Sequence, residues 1–279
     1  MIPFDFEYYK PDTISEAVNT FHDLQNQGKL VIYYSGGTEF ITFSRINQLK
    51  ADAVIDLKGI ADCHVLEFQG DQLVIGSAVS LNQISESNLF PLLGKTFKKV
   101  ADHTSRNKIT LGGNLNSQLI YREGILPLLL SDAKVKIAGI EGELVLPLEN
   151  VFTEELKLDA GQFLEQIIID KNYTALPFVS IKKTKISKVS YPVVSIGALV
   201  KDQQIRAAFS GVCQYPFRSK QMEAALNESS LSKTERIDKA VTLIPSEIID
   251  DIQASREYRE FVLKNALLEI YDSLEATLA

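Results

Sequence analysis

Two glycine pairs, each set among small polar residues, constrain this chain more than any other feature. Ser35-Gly36-Gly37-Thr38-Glu39 directly follows the apolar run Leu30-Val31-Ile32-Tyr33-Tyr34, and Thr110-Leu111-Gly112-Gly113-Asn114 comes later in the chain. A strand that runs into such a turn must bring bare backbone close to something, because glycine has no Cβ to hold a neighbour away. Consecutive unpaired N–H groups in a turn form an anion-binding nest, and a pyrophosphate is the natural guest. Together the two pairs predict a large nucleotide cofactor gripped from two sides. For Ser35–Thr38 alone the competing reading is a tight structural turn, since single glycine motifs are weak signals.

The commoner nucleotide cradles do not fit. The sequence holds neither Gly-x-x-x-x-Gly-Lys nor Gly-x-Gly-x-x-Gly, which disfavours a P-loop and the grip of a doubly wound sheet. A non-Rossmann nucleotide cradle remains.

The 279 residues are 45% hydrophobic and 23% charged, enough for two or three units with real cores. A formal net charge of −7 gives no overall positive field for nucleic acid. The two cysteines, Cys63 and Cys213, stand far apart. They are too few to hold an iron–sulfur cluster and offer no disulfide framework, which fits a reducing compartment. The histidines His22, His64 and His103 are dispersed and suggest no metal site. His103 precedes the second glycine pair, where a surface or capping role competes with a place near a cofactor. No apolar stretch approaches the ~20 residues that span a bilayer, and the N-terminus lacks signal-peptide character. The expectation is a cytoplasmic protein without membrane or nucleic-acid partners.

Periodicity divides the chain into three parts. In the first, strands at 6–10, 30–34 and 53–57 enclose a helix at 14–27, whose stripe is Ile14, Ala17, Val18, Phe21 and Leu24, and a short helix at 40–45. In the second, a strand at 72–79 precedes a Ser80/Gln83 capping box. Helix at 92–100, a hairpin over 134–146 and a strand at 163–169 follow. In the third, strands at 178–183, 193–200 and 205–210 precede helices at 219–226, 234–240 and 257–278. The predicted architecture is α+β, divided at 1–57, 58–171 and 172–279.

The two glycine motifs resemble those of a known family. Ser35-Gly36-Gly37-Thr38-Glu39-Phe40 looks like the Ala-Gly-Gly-Thr-Asp-Leu signature of the FAD-binding subunits of molybdenum hydroxylases, the xanthine dehydrogenase group. Ser105-Arg106-Asn107-Lys108-Ile109-Thr110-Leu111-Gly112-Gly113-Asn114 resembles their Ile-Arg-Asn-x-Ala-Thr-Ile-Gly-Gly-Asn motif. The likeness continues, in order, through Val54–Ile60, Leu73–Ser80, Pro127–Val135 and Ser255–Arg259.

The resemblance implies a two-lobed FAD-binding domain of the vanillyl-alcohol-oxidase/p-cresol-methylhydroxylase kind, formed by 1–57 and 58–171, followed by a C-terminal antiparallel sheet with helices. It implies that the backbone of Val31, Ile32, Tyr33, Tyr34, Ser35, Gly36, Gly37, Thr38 and Glu39 holds the FAD pyrophosphate. Thr110, Gly112, Gly113 and Asn114 approach from the second lobe. The family's Pro-x-Ser-Asp segment is replaced here by Leu119-Ile120-Tyr121-Arg122-Glu123, in which Glu123 stands in for the acid at the adenosine end. Lys182 fits a family lysine, and Ser190-Tyr191-Pro192-Val193 a stretch beside the flavin. Tyr191 then lies on the isoalloxazine face and gates an electron acceptor; its alternative is a half-buried strand aromatic. An expected arginine is absent, leaving Lys183, Lys185 and Lys188 as substitutes.

The implied partners are a large molybdopterin-binding subunit and a small subunit with two 2Fe–2S clusters. NAD+ or another molecule is the terminal acceptor. Two rivals stand beside this reading: a stand-alone flavin oxidase or reductase with the same cradle, and a scaffold that kept the fold but lost FAD.

Overall fold

A computed structural model of the protein describes residues 1–278. Its first unit comprises β1 (Glu7–Tyr9), α1 (Ile14–Asn26), β2 (Val31–Tyr34), α2 (Thr38–Arg45) and β3 (Ala53–Asp56). The three strands pair in parallel in the order β1-β3-β2, so each connection must cross over and carries a helix. Thr13 caps α1 by accepting from the Glu16 amide, and Ala17, Val18, Phe21 and Leu24 bury one stripe. Every residue of β3 is buried, including the carboxylate-bearing Asp56.

The second unit carries β4 (Leu66–Gln69), β5 (Gln72–Gly76), α3 (Leu81–Ser87), α4 (Pro91–Phe97), α5 (His103–Arg106), α6 (Leu111–Leu115) and α7 (Ile125–Leu130). β6 (Lys134–Gly139), β7 (Gly142–Pro147), α8 (Leu148–Val151) and β8 (Phe163–Asp170) complete it. Its antiparallel sheet has the order β4-β5-β8-β6-β7. The Ser80/Gln83 capping box forms as read. The helix expected at 92–100 stops at Phe97, because the chain tightens there: Val100 donates to the Phe97 carbonyl and Ala101 turns to φ +46°.

The third unit holds β9 (Phe178–Thr184), β10 (Pro192–Lys201), β11 (Gln204–Ser210) and β12 (Phe217–Arg218). Helices α9 (Lys220–Leu226), α10 (Lys233–Val241) and α11 (Arg256–Leu278) follow. The sheet is antiparallel in the order β12-β11-β10-β9. Asp202 and Gln203, with φ of +52° and +60°, make the tight turn between β10 and β11. One face of this sheet packs beneath α9–α11. On the other, Leu199 and Ala208 join the core of the second unit.

Side chains also stitch the units. Tyr33 donates to the Gly161 carbonyl at 2.9 Å and packs on Phe21 and Phe163. Asp132 accepts from Tyr173 and pairs with Arg206 and Arg218 of the third unit at 2.7 and 2.8 Å. Arg259, wholly buried, donates to the carbonyls of Ile249, Val193 and Gly211 and pairs with Asp251 at 2.7 Å. The guanidinium is a four-way tie near the start of α11.

Candidate functional site: where three units meet

β2 ends at the edge of the parallel sheet and the chain turns at once into α2. Gly37 occupies the N-cap with φ +71°, and no side chain caps the helix. Among the described residues the backbone amides from Ser35 to Phe40 find no partner. The hydroxyl of Ser35 is buried and also unpaired. Free amides at a helix start, with the helix dipole behind them, suit an anion. A Cβ at Gly36 would be driven into the carbonyl oxygen of Lys108. The two glycine-bearing segments therefore meet, with the first leaning on the residues that lead into the second.

The second pair differs from the expected nest. Residues Leu111–Leu115 form a turn of helix, capped by the Thr110 hydroxyl, which accepts from the Gly113 amide at 3.3 Å. Gly112 donates to the Ser77 carbonyl at 2.8 Å and Asn114 to the Thr110 carbonyl at 2.9 Å. These amides are engaged within the protein. Gly112 has a packing reason, since a Cβ there would stand 2.8 Å from that of Ser77. The Asn114 carboxamide oxygen accepts from the Gly124 amide at 3.0 Å. It fixes the segment that departs from the family pattern.

That segment is bound from both sides. Glu39, in the first turn of α2, accepts from the Ser117 hydroxyl and from the Gln118 amide at 3.0 Å. Its carboxylate is spent on linking the first unit to the second. Tyr121 then stacks on Tyr191 with ring centroids 4.7 Å apart and planes 13° from parallel. Tyr121 is buried and Tyr191 is 48% exposed, so the pair presents one aromatic face outward. Burial, followed by the carboxylates of Glu39 and Glu123, pushes the Tyr191 phenol upward.

Glu123 is paired with Lys182 at 2.8 Å, with only 7% and 6% of the two side chains exposed. Lys182 also donates to the Lys99 carbonyl at 2.8 Å. Burial lowers the Lys99 ammonium. The acid read as belonging to the adenosine end thus stands beside the residues read as belonging to the ring. Of the expected arginine substitutes, Lys183 pairs with Glu269 at 2.5 Å and Lys185 donates to the Ile252 carbonyl at 2.7 Å. His103 is exposed and faces Glu86 at 3.5 Å.

Among the other expected residues, Val31 and Tyr33 pack against the core of the first unit, while Ile32 and Tyr34 face the smaller cluster around Phe40. Thr38 opens α2. Tyr121, and the linking roles of Glu39 and Asn114, were missed by sequence reasoning. Tyr121 lies in the very segment that breaks the family pattern, which was a usable signal. No group of His, Cys, Asp and Glu fit to hold a metal occurs among the described residues, and both cysteines are buried and free.

A turn of free amides suits a diphosphate and an outward aromatic face suits a planar ring, so the arrangement is that of a nucleotide-cofactor protein. Residues 4–171 match the FAD binding domain in molybdopterin dehydrogenase, and the chain belongs to that family. It is 25% identical over 292 residues to the nicotinate dehydrogenase FAD-subunit of Eubacterium barkeri, covering 97% of this chain and 98% of that one. It is 29% identical over 119 residues to the carbon monoxide dehydrogenase medium chain of Hydrogenophaga pseudoflava, covering 41% of this chain and 40% of that one. Among solved structures, carbon monoxide dehydrogenase from Hydrogenophaga pseudoflava shares the fold with a TM-score of 0.88 at 20% identity, over 100% of both chains. Quinoline 2-oxidoreductase from Pseudomonas putida 86 does so with a TM-score of 0.85 at 18% identity, over 99% of both. No helix among the described residues is long and apolar enough to cross a membrane.

Proposed function

We propose that this chain is the medium, flavin-bearing subunit of a xanthine dehydrogenase-like molybdenum hydroxylase. In this reading residues 1–57 and 58–171 are two lobes of a p-cresol-methylhydroxylase-like cradle, and 172–279 is the third domain. The observation that carries it is the run of unpartnered amides from Ser35 to Phe40 beside the orphaned Ser35 hydroxyl. A buried hydroxyl without a partner costs free energy, and the free amides beside it at a helix start suit an anion, so a ligand that engages both is the natural occupant.

The residues present fit FAD. The amides of Ser35, Gly36, Gly37, Thr38 and Glu39, with the Thr38 and Ser35 hydroxyls, hold its diphosphate. Thr110, Gly112, Gly113 and Asn114 contribute differently from a nest: they fix the wall of the second lobe against which Gly36 rests. Tyr191, backed by Tyr121, stands at the ring and controls the approach of an acceptor. Glu123 neutralises Lys182 there, so that no unpaired charge is buried. When bound, FAD supplies the exchange of electrons between one-electron clusters and a two-electron acceptor.

The partners in this proposal are a large molybdopterin-binding subunit and a small subunit with 2Fe–2S clusters; NAD+ or another molecule is the acceptor, in the cytoplasm. The near-complete coverage of a dehydrogenase FAD subunit supports a subunit over a stand-alone reductase. The test is direct. The purified chain is expected to be yellow and to release FAD on denaturation, and co-expressed cysteine-rich and large chains are expected to co-purify with it. A colourless, folded protein that ignores added FAD overturns the proposal.

A further inference from the structure

Lys58 touches the first glycine turn from behind. Its ammonium donates to the Ser35 carbonyl at 2.6 Å and to both Asp56 carboxylate oxygens at 2.8 Å. It also sits over the Tyr34 ring, 4.6 Å from the centroid. Asp56 is itself buried at the end of β3 and accepts from the Tyr8 hydroxyl and the Lys58 amide. Burial would raise the Asp56 carboxyl, but the hydrogen bonds from Lys58 and Tyr8 hold it below its usual value. The acid is therefore an anion, fixed on two sides, and it fixes the lysine in turn.

In a planar trans peptide the C=O and the following N–H point in opposite directions. Whatever holds the Ser35 carbonyl therefore aims the Gly36 amide the other way. We infer that Lys58 is a positioning residue for anion binding: anchored by Asp56 and Tyr8, it clamps the Ser35–Gly36 peptide so that the Gly36 N–H faces the diphosphate. The inference rests on the FAD reading of the site. The clamp removes a carbonyl oxygen from the anion's side of the turn and leaves a donor there. Lys58 also places a positive charge behind the turn. The cradle is thus set before any ligand arrives, which lowers the ordering cost of binding.

The chain contains only two Ser-Gly pairs, at Ser35-Gly36 and Ser210-Gly211. Labelling serine carbonyls with 13C and glycine amides with 15N therefore isolates two resonances, with Gly211 as the internal control. In the ligand-free protein, Lys58→Met is expected to shift the Gly36 resonance and leave that of Gly211 in place. FAD titration of the same variant is expected to show a Kd about tenfold weaker, with Lys58→Arg recovering most of the loss. An unmoved Gly36 resonance, or an unchanged Kd for Lys58→Met, overturns the inference. So does a Lys58→Arg protein that binds as weakly as Lys58→Met. Wild-type protein that binds no FAD would defeat the proposed function instead, while the ligand-free comparison still decides whether Lys58 sets the peptide.

Discussion

Tyr191 lies flat against Tyr121, rings 4.7 Å apart, although one immediately precedes β10 and the other belongs to the irregular segment before α7. The contact joins the third unit to the second. Tyr191→Ala is expected to cost about 1 kcal/mol of stability, the typical worth of such a pair together with some lost area. It is also expected to change the visible absorption bands of bound flavin. Urea denaturation and the spectrum check the two parts separately; unchanged bands would remove Tyr191 from the ring.

Gly36→Ala should abolish FAD binding, because the added methyl collides with the Lys108 carbonyl, which is backbone and cannot swing away. Gly28→Ala is the matched control. That position has φ +78° but open space around it, so the cost is backbone strain of about 1 kcal/mol with flavin affinity retained. Titration of the two variants with FAD measures the contrast.

The Glu123–Lys182 pair is nearly dry, so breaking it from one side strands a charge. Glu123→Leu or Lys182→Met alone is expected to destabilise by about 3–5 kcal/mol, and the double variant by much less. A double-mutant cycle in urea reads the coupling; additive losses would mean the pair is screened.

Asp132 gives the fold an acid limit. Burial opposes its ionisation, but Tyr173, Arg206 and Arg218 bring its carboxyl from 3.8 down to about 2. With the folded value depressed, the group stabilises the protein above the unfolded value and loses that contribution as pH falls from about 4 towards 2. Solvent reaches about half of this side chain, so the effect is on the order of 1 kcal/mol. Asp132→Asn is expected to flatten the acid limb of a stability–pH curve and to lower stability at neutral pH.

What the sequence disclosed was local. The stripe of α1 and the Ser80 cap each depend on residues a few positions apart, and both lie where the pattern puts them. The two glycine pairs look alike on paper but differ in space. Thr110 caps its own helix and the Ser77 carbonyl takes the Gly112 amide, whereas Gly37 has no capping side chain. Thr110 three positions before Gly113 is a readable N-cap signature; the Ser77 contact is tertiary and was not readable. β4 escaped notice because it is short, with alternate residues exposed, and β12 because it has two residues. The Tyr121–Tyr191 stack, the Glu39 clasp on Ser117 and the Glu123–Lys182 pair join distant segments, for which a single sequence carries no periodicity.

Arg259→Met should cost at least about 3–5 kcal/mol, since it orphans three buried carbonyls and Asp251 at once, and Arg259→Lys should rescue only part of that. Chemical denaturation, with limited proteolysis near α11, reads the loss.

One of those carbonyls belongs to Val193, two positions past Tyr191. The closing helix thus ties down the start of β10, next to the Tyr121–Tyr191 stack, through a single guanidinium. A change made around Arg259 is therefore expected to be felt at a distance, where the third unit meets the second.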